Sequence, residues 1–184
     1  MKDTNQLSPL SLAILGLVAQ QPQSGYDLRK AFSTTPMGHF SSSPGAIYPA
    51  LKRIERSGWV RGRVEAKTAL RPRMVYKITK KGLGSLRRHL SQPVAVDDVI
   101  WHMDDLMLRF AFMDPIVGRE RTVQFLHEFR AAVEEHVRSL KEFAATAAGQ
   151  MPPCGRLAME QGIETYEIQA RWAKRAIEEL AGGS

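Results

Sequence analysis

Ser43-Pro44-Gly45-Ala46-Ile47-Tyr48-Pro49-Ala50-Leu51-Lys52-Arg53-Ile54-Glu55-Arg56-Ser57-Gly58 is the stretch on which the architecture turns. Ser43 reads as a helix cap, Pro44 takes the first helical position and Gly58 is the terminator. Pro49 stands near enough to the start to strain that turn rather than break the helix. Ile47, Leu51 and Ile54 recur at i, i+4 and i+7 and form the inward stripe. Outward at the N-terminal end lie Ser43, Gly45, Ala46 and Tyr48, small or hydrogen-bonding groups that let a helix approach another surface closely. Lys52, Arg53 and Arg56 follow behind.

Upstream, Ser8-Pro9 starts a helix running to about Gln20, apolar on both flanks and stopped by Pro22. Ser24-Gly25-Tyr26-Asp27 fits a helix-opening box for a second, short helix, Gly25 to about Ser33. Thr34 to Ser42 reads as a polar loop. Downstream, Trp59–Glu65 and Met74–Ile78 alternate with period two around a turn-rich Lys67–Pro72, which predicts a β-hairpin with a cationic tip. Thr79 opens a further helix with Leu83, Leu86 and Leu90 inward. Three helices followed by a two-stranded hairpin is the order of a winged helix-turn-helix. In that arrangement the third helix enters the major groove by its N-terminal end, and the wing lies along backbone or minor groove.

Charge distribution points the same way. The 184 residues carry a formal net +7, yet residues 1–92 hold a net +12 and residues 93–184 a net −5. A half this basic attracts polyanions. The single cysteine, Cys154, excludes an intrachain disulfide framework and a cysteine-rich zinc module, and suits a reducing compartment. The continuously apolar part of the uncharged Thr4–Tyr26 stretch, Leu12 to Ala19, is too short for a span of about 20 residues. Asp3 and Gln20-Gln21-Pro22-Gln23 speak against a signal peptide. The expected location is the cytoplasm, on the nucleoid, with no membrane partner.

Pro93 marks a hinge. One helix is expected from about Asp97 to Met113, apolar along Ile100, Met103, Met107, Phe110 and Ala111 and ended by Asp114-Pro115. A long helix from Pro115 to about Ala147 carries Leu126, Phe129, Val133, His136, Leu140, Phe143 and Ala147. A last helix carries Met159, Ile163, Tyr166, Ala170, Ala173, Ile177 and Leu180. Spacings alternating three and four are a coiled-coil pattern. The expectation is that this seam meets a second copy, through Leu126, Phe129, Val133, Leu140, Ile163, Tyr166, Ala170 and Ile177. A hairpin closed within one chain is the other solution, at the cost of exposing Trp101, Phe112 or Trp172.

Other candidates read more plainly. His102 between Asp98 and Asp105 has a spacing that suits a metal, but a solvated acidic face explains the same residues, so no metal and no cofactor is assigned. His136 in an apolar seam is a core or interface histidine before it is a pH switch. Trp101, Met103 and Met107 are the candidates for an effector pocket, against the plainer reading as core. The chain lacks G-x-S-x-G, H-E-x-x-H and any phosphate-cradling glycine loop, so no catalytic residue is assigned and an enzyme is not expected.

Gly25-Tyr26-Asp27-Leu28, the Ser43–Ile54 block, Gly58-Trp59-Val60 and Arg73-Met74-Val75-Tyr76-Lys77-Ile78-Thr79-Lys80-Lys81-Gly82, in this order, resemble the PadR-like transcriptional regulators over roughly residues 7–90. The resemblance implies a mainly α protein: a winged helix-turn-helix domain with a two-stranded wing (1–92), then an α-helical dimerisation domain (93–184). It implies a homodimeric repressor on double-stranded DNA, at an inverted-repeat operator. Tyr26 and Lys30 would touch backbone, Ser43, Gly45, Ala46 and Tyr48 would face bases, and Lys52, Arg53, Lys67, Arg71 and Arg73 would hold phosphates. A small-molecule effector would release it; the alternative is a binding module for an aromatic or drug-like ligand with secondary DNA contact.

Overall fold

Helix α1 (Pro9–Gln20) begins where the Ser8 hydroxyl accepts the Ser11 N–H at 3.3 Å. In the computed structural model, which describes residues 7–40, 44–65, 72–147 and 149–182, the chain divides into two compact units, Met1–Ser91 and Gln92–Ser184. No helix among the described residues is long and apolar enough to cross a membrane.

In the first unit α1 has no polar face because it has neighbours on several sides. It packs on α3 (Pro44–Arg56), α4 (Lys80–Leu90) and β3 (Arg73–Ile78), and Leu12, Ala13, Ile14, Leu15 and Val18 are all buried. Helix α2 (Gly25–Thr34) starts at the expected box: Asp27 N–H donates to Ser24 Oγ (3.2 Å), and Ser24 N–H and Oγ donate to Asp27 Oδ2 (3.0 and 2.7 Å). The polar stretch beyond it is not irregular throughout. Pro36–Phe40 forms a 3₁₀ turn, in which Met37 N–H donates to the Thr35 hydroxyl and Gly38 N–H to the Thr35 carbonyl. Proline's fixed φ suits that turn, a local preference that hydrophobic periodicity does not register.

Pro49 lies inside α3 without breaking it, and Ile47, Ala50, Leu51 and Ile54 are buried to about 1% exposure. Gly58, at φ +73°, ends the helix as glycine readily does, its N–H and that of Trp59 turning back to the Glu55 and Ile54 carbonyls. The expected two-stranded hairpin is present, and the sheet gains a strand that was not expected. Besides β2 (Val60–Glu65) and β3 it contains β1 (Gln23–Ser24), in the antiparallel order β1-β3-β2. Two residues paired with Tyr76 and Val75 are too few to leave a period-two signature, and Ser24 is read first as a cap.

Helix α4 is capped by Thr79, whose hydroxyl accepts the Gly82 N–H (3.0 Å) and donates to the Gly58 carbonyl (2.7 Å). Leu86 and Leu90 are buried; Leu83 is half-buried.

Among the described residues the second unit has four helices. The expected Asp97–Met113 helix is two, α5 (Val96–Trp101) and α6 (Met103–Val117), broken at His102 with φ −135° and ψ 30°. Pro115 does not end α6; Ala111, Asp114 and Pro115 face solvent, and the stop is Gly118, at φ +85°. Helix α7 (Arg119–Ala147) therefore begins after the proline, and α8 (Pro153–Gly182) follows. The phase of α6 also differs from expectation. Leu106, Leu108, Arg109, Phe112, Met113 and Ile116 are buried, whereas Met103, Met107 and Phe110 are half-buried and Ala111 is exposed. A single helical count carried through the break at His102 misassigns the face.

Helix α7 is the spine, touching α5, α6 and α8. The first part of the three-four stripe is covered within the chain, where α7 packs on α8 and its neighbours: Leu126, Phe129 and Val133, expected to meet a second copy, are completely buried in one, whereas Phe143 further along is exposed. Phe129 lies between Phe125 (6.4 Å) and Trp172 (5.9 Å), and Phe110 meets Trp172 edge-on at 5.4 Å. Leu140, Ile163, Tyr166, Ala170 and Ile177 are half-buried. Of the three aromatics at risk in a hairpin, Phe112 is buried, Trp172 half-buried and only Trp101 is exposed, at 74%. At the entrance to this unit Arg109 and Arg121 both donate to the Gln92 carbonyl, and Glu128 accepts from Val94 N–H (3.2 Å) and Arg121 (3.2 Å).

Candidate nucleic-acid interface

The first unit displays aromatic and cationic groups on α2, α3 and the β2–β3 wing, and further exposed cations, Lys80, Lys81, Arg87 and Arg88, on α4. Tyr26, on the first turn of α2, is 61% exposed with the Arg29 guanidinium 5.4 Å from its ring centre, and Lys30 is exposed one turn on. On α3, Gly45 is exposed, Ala46 half-buried and Tyr48 about half-exposed, followed by exposed Lys52, Arg53 and Arg56. Ser43, Lys67 and Arg71 lie outside the described residues.

Three contacts join these elements. Tyr48 of α3 lies against Gly25 at the start of α2, so closely that a Cβ there would stand 2.6 Å from Tyr48 Cε1. Tyr48 thus both packs on the second helix and shows its remaining surface to solvent. Arg73, the first residue of β3, pairs with Asp27 at 3.8 Å, both side chains being well exposed. The Asp27 carboxyl is held below the usual carboxylate range, chiefly by the Ser24 hydroxyl, with Arg73 and Lys30 assisting against a modest desolvation. The third contact runs from the last turn of α3 to the wing, where Glu55 Oε1 accepts the Gly62 N–H at 2.9 Å.

The wing carries cations that the sequence reading did not assign. Arg61 is paired in register with Lys77, Arg63 follows two residues on, and the three line a shallow depression of about 290 Å³ with Gly62. The alternation Val60-Arg61-Gly62-Arg63-Val64 was the available signal, since it sends both arginines to one side of the strand. Asp27 was read only within its helix-opening box and Glu55 not at all, because Arg73 and Gly62 are remote from them in sequence.

The effector candidates are only partly together. Trp101 and Met103 line a depression of about 300 Å³ at the α5–α6 break with Ile100, His102, Asp104 and Asp105; Met107 is half-buried and is not among its lining. Burial pushes the Asp105 carboxyl up, opposed by His102. Among the described residues no group of three His, Cys, Asp or Glu is placed to hold a metal ion. His136 meets the Tyr166 ring edge-on at 4.6 Å, a packed histidine between the chain's own helices, and Cys154 is exposed.

Residues 14–88 match the family described as transcriptional regulator PadR-like, and residues 104–181 match one described as virulence activator alpha C-term. The chain is 25% identical over 175 residues to the negative transcriptional regulator PadR of Bacillus subtilis (strain 168), covering 91% of this chain and 95% of that one. It is 30% identical over 84 residues to the probable transcriptional regulator Rv1176c of Mycobacterium tuberculosis (strain ATCC 25618 / H37Rv), 45% of this chain and 44% of that one. Among solved structures, Bacillus subtilis PadR in complex with operator DNA is similar over 93% of this chain and 98% of its own, at 21% identity and a TM-score of 0.42.

Proposed function

We propose, from the match of residues 14–88 to the PadR-like transcriptional regulators, that the chain is a regulator of that kind: a homodimeric, sequence-specific DNA-binding repressor released by a small molecule. The observation that carries the reading is the set of exposed cations, Lys30, Lys52, Arg53, Arg61, Arg63, Arg73 and Lys77, on three elements tied together by the Gly25–Tyr48, Asp27–Arg73 and Glu55–Gly62 contacts. Phosphate neutralisation supplies affinity, and side chains reaching base edges supply sequence. Gly45 and Ala46 keep the start of α3 thin enough for a major groove, with Ser43 and Tyr48 as its hydrogen-bonding groups. Tyr26, Lys30, Lys52, Arg53 and the wing, including Lys67, Arg71 and Arg73, hold the backbone on either side.

Residues 1–92 do this work, and residues 93–184 pair two copies and take the effector. Because Leu126, Phe129 and Val133 are used up internally, the pairing surface is formed by what one copy leaves partly uncovered: Leu140, Ile163, Tyr166, Ala170 and Ile177, with exposed Phe143 and Ile168 beside them. The effector sits at the α5–α6 break beside Trp101 and Met103, the most exposed tryptophan and the depression next to it. It acts by preferring the arrangement of two copies that does not fit the operator. The site of action is the cytoplasm, on the nucleoid.

Fluorescence anisotropy with the tightest duplex selected from a randomised pool, and with its scrambled counterpart, tests the reading at two salt concentrations. The expected result is preference for the selected duplex and steep weakening with salt; indifference to both duplexes at physiological salt overturns it.

A further inference from the structure

Residues 1–92 contain four acids, and one of them, Glu55, stands between Arg53 and Arg56 in the most cationic turn of α3. A carboxylate there opposes phosphate binding, and its hydrogen bond indicates what it does instead. In the order β1-β3-β2, β2 is an edge strand, and an edge strand presents backbone N–H groups with no ladder partner. Glu55 Oε1 accepts one of them, the Gly62 N–H, at 2.9 Å. The approach requires the absence of a side chain: a Cβ at residue 62 would stand 2.8 Å from Glu55 Oε1, 2.9 Å from Met74 Sδ and 3.3 Å from Tyr76 Cε1. Tyr76, opposite Gly62 in register, has its phenol pushed up by burial and by the nearby Glu55 carboxylate, a second sign of how close the acid lies to the wing.

We propose that Glu55 is a positioning residue for DNA recognition, a strut from the last turn of α3 to the middle of β2 that fixes the wing cations Arg61 and Arg63 relative to the recognition helix. The assignment rests on the DNA-binding reading above. Arg61 and Arg63 flank the anchored residue directly, so the strut holds both wing cations to α3 with one bond. Two sets of phosphate contacts held at a fixed separation engage together without an ordering cost at the moment of binding.

Three variants of the full chain separate strut from charge. E55A removes both acceptor and charge, E55Q keeps an acceptor without the charge, and G62A keeps the charge while its methyl displaces the acceptor. Hydrogen exchange of the Gly62 amide is read on the unbound protein, and preference for the selected over the scrambled duplex is read by anisotropy. The strut predicts faster Gly62 exchange and a preference reduced about tenfold in E55A and G62A, with E55Q close to the unmodified chain in both. A chain that discriminates between duplexes while E55A and G62A match it overturns this assignment alone, as does E55Q behaving like E55A. An unmodified chain that ignores both duplexes overturns the DNA reading and this assignment together, and Gly62 exchange then still reports whether the bond exists.

Discussion

Nη1 of Arg73 stands 3.8 Å from Oδ2 of Asp27, so the carboxylate that closes the start of α2 also faces the first residue of β3. The pair is exposed, and its Coulombic worth is small. Its significance is positional, because one side chain serves a helix cap and the base of the wing at once.

Acid should therefore loosen the first unit through Asp27. Its folded pKa lies below the unfolded value, so its contribution is complete above the ordinary carboxylate range and disappears as pH falls through the folded pKa. Asp27→Asn is expected to flatten the acid limb of stability, measured by urea unfolding between about pH 7 and pH 3. Ser24→Ala, which removes the other half of the box, should cost about 1 kcal/mol at neutral pH. An Asp27→Asn profile that parallels the unmodified chain would sink the assignment.

Gly25→Ala should cost about 1 kcal/mol or less, because the new methyl meets Tyr48 Cε1 at 2.6 Å but that exposed ring can swing aside. Adding Tyr48→Ala ought to recover most of that loss. The double-mutant cycle measures it, and additive losses would mean the two residues do not compete for space.

Gly82→Ala is expected to be severe, about 3 kcal/mol or more, since its Cβ would lie 2.0 Å from the Trp59 carbonyl oxygen, a backbone atom with no easy retreat. Gly84, two residues on, has open space around it, and its alanine variant should be neutral or slightly stabilising. Thermal melts of the two variants side by side provide the comparison.

Phe129→Ala should remove about 3–5 kcal/mol from the second unit. Because Phe129 is covered by its own chain, the difference from the unmodified protein is expected to be the same in dilute and concentrated samples. A penalty that vanishes on dilution would place Phe129 at a contact between copies instead.

Arg61→Ala combined with Arg63→Ala should weaken binding to the selected duplex, which seats α3 and the wing together, more than to the scrambled one, and flatten the salt slope by about two. An unchanged slope would remove the wing strands from the phosphate contacts.

Local signals were legible in the sequence. Ser8-Pro9 and Gln20 bound α1 as read, Ser24 and Asp27 form the box their spacing implies, and Gly58 stops α3 in the left-handed conformation expected of it. What failed was information carried by distant parts of the chain. Strand β1 exists only because Val75 and Tyr76 pair with it; the break at His102 has neither a glycine nor a proline to announce it. The three-four stripe on α7 was legible as a seam, but periodicity states that a face is covered and not by which chain, and Leu126, Phe129 and Val133 are covered by their own. For the interface, the cations of α3 were legible, whereas the roles of Asp27, Glu55 and Gly62 depended on tertiary neighbours.

Phe110, Phe125, Phe129 and Trp172 complete their ring contacts inside a single polypeptide. A newly made copy can thus acquire its helical interior alone, and maturation does not have to wait for an encounter. Dilution alone then gives that interior no reason to come apart.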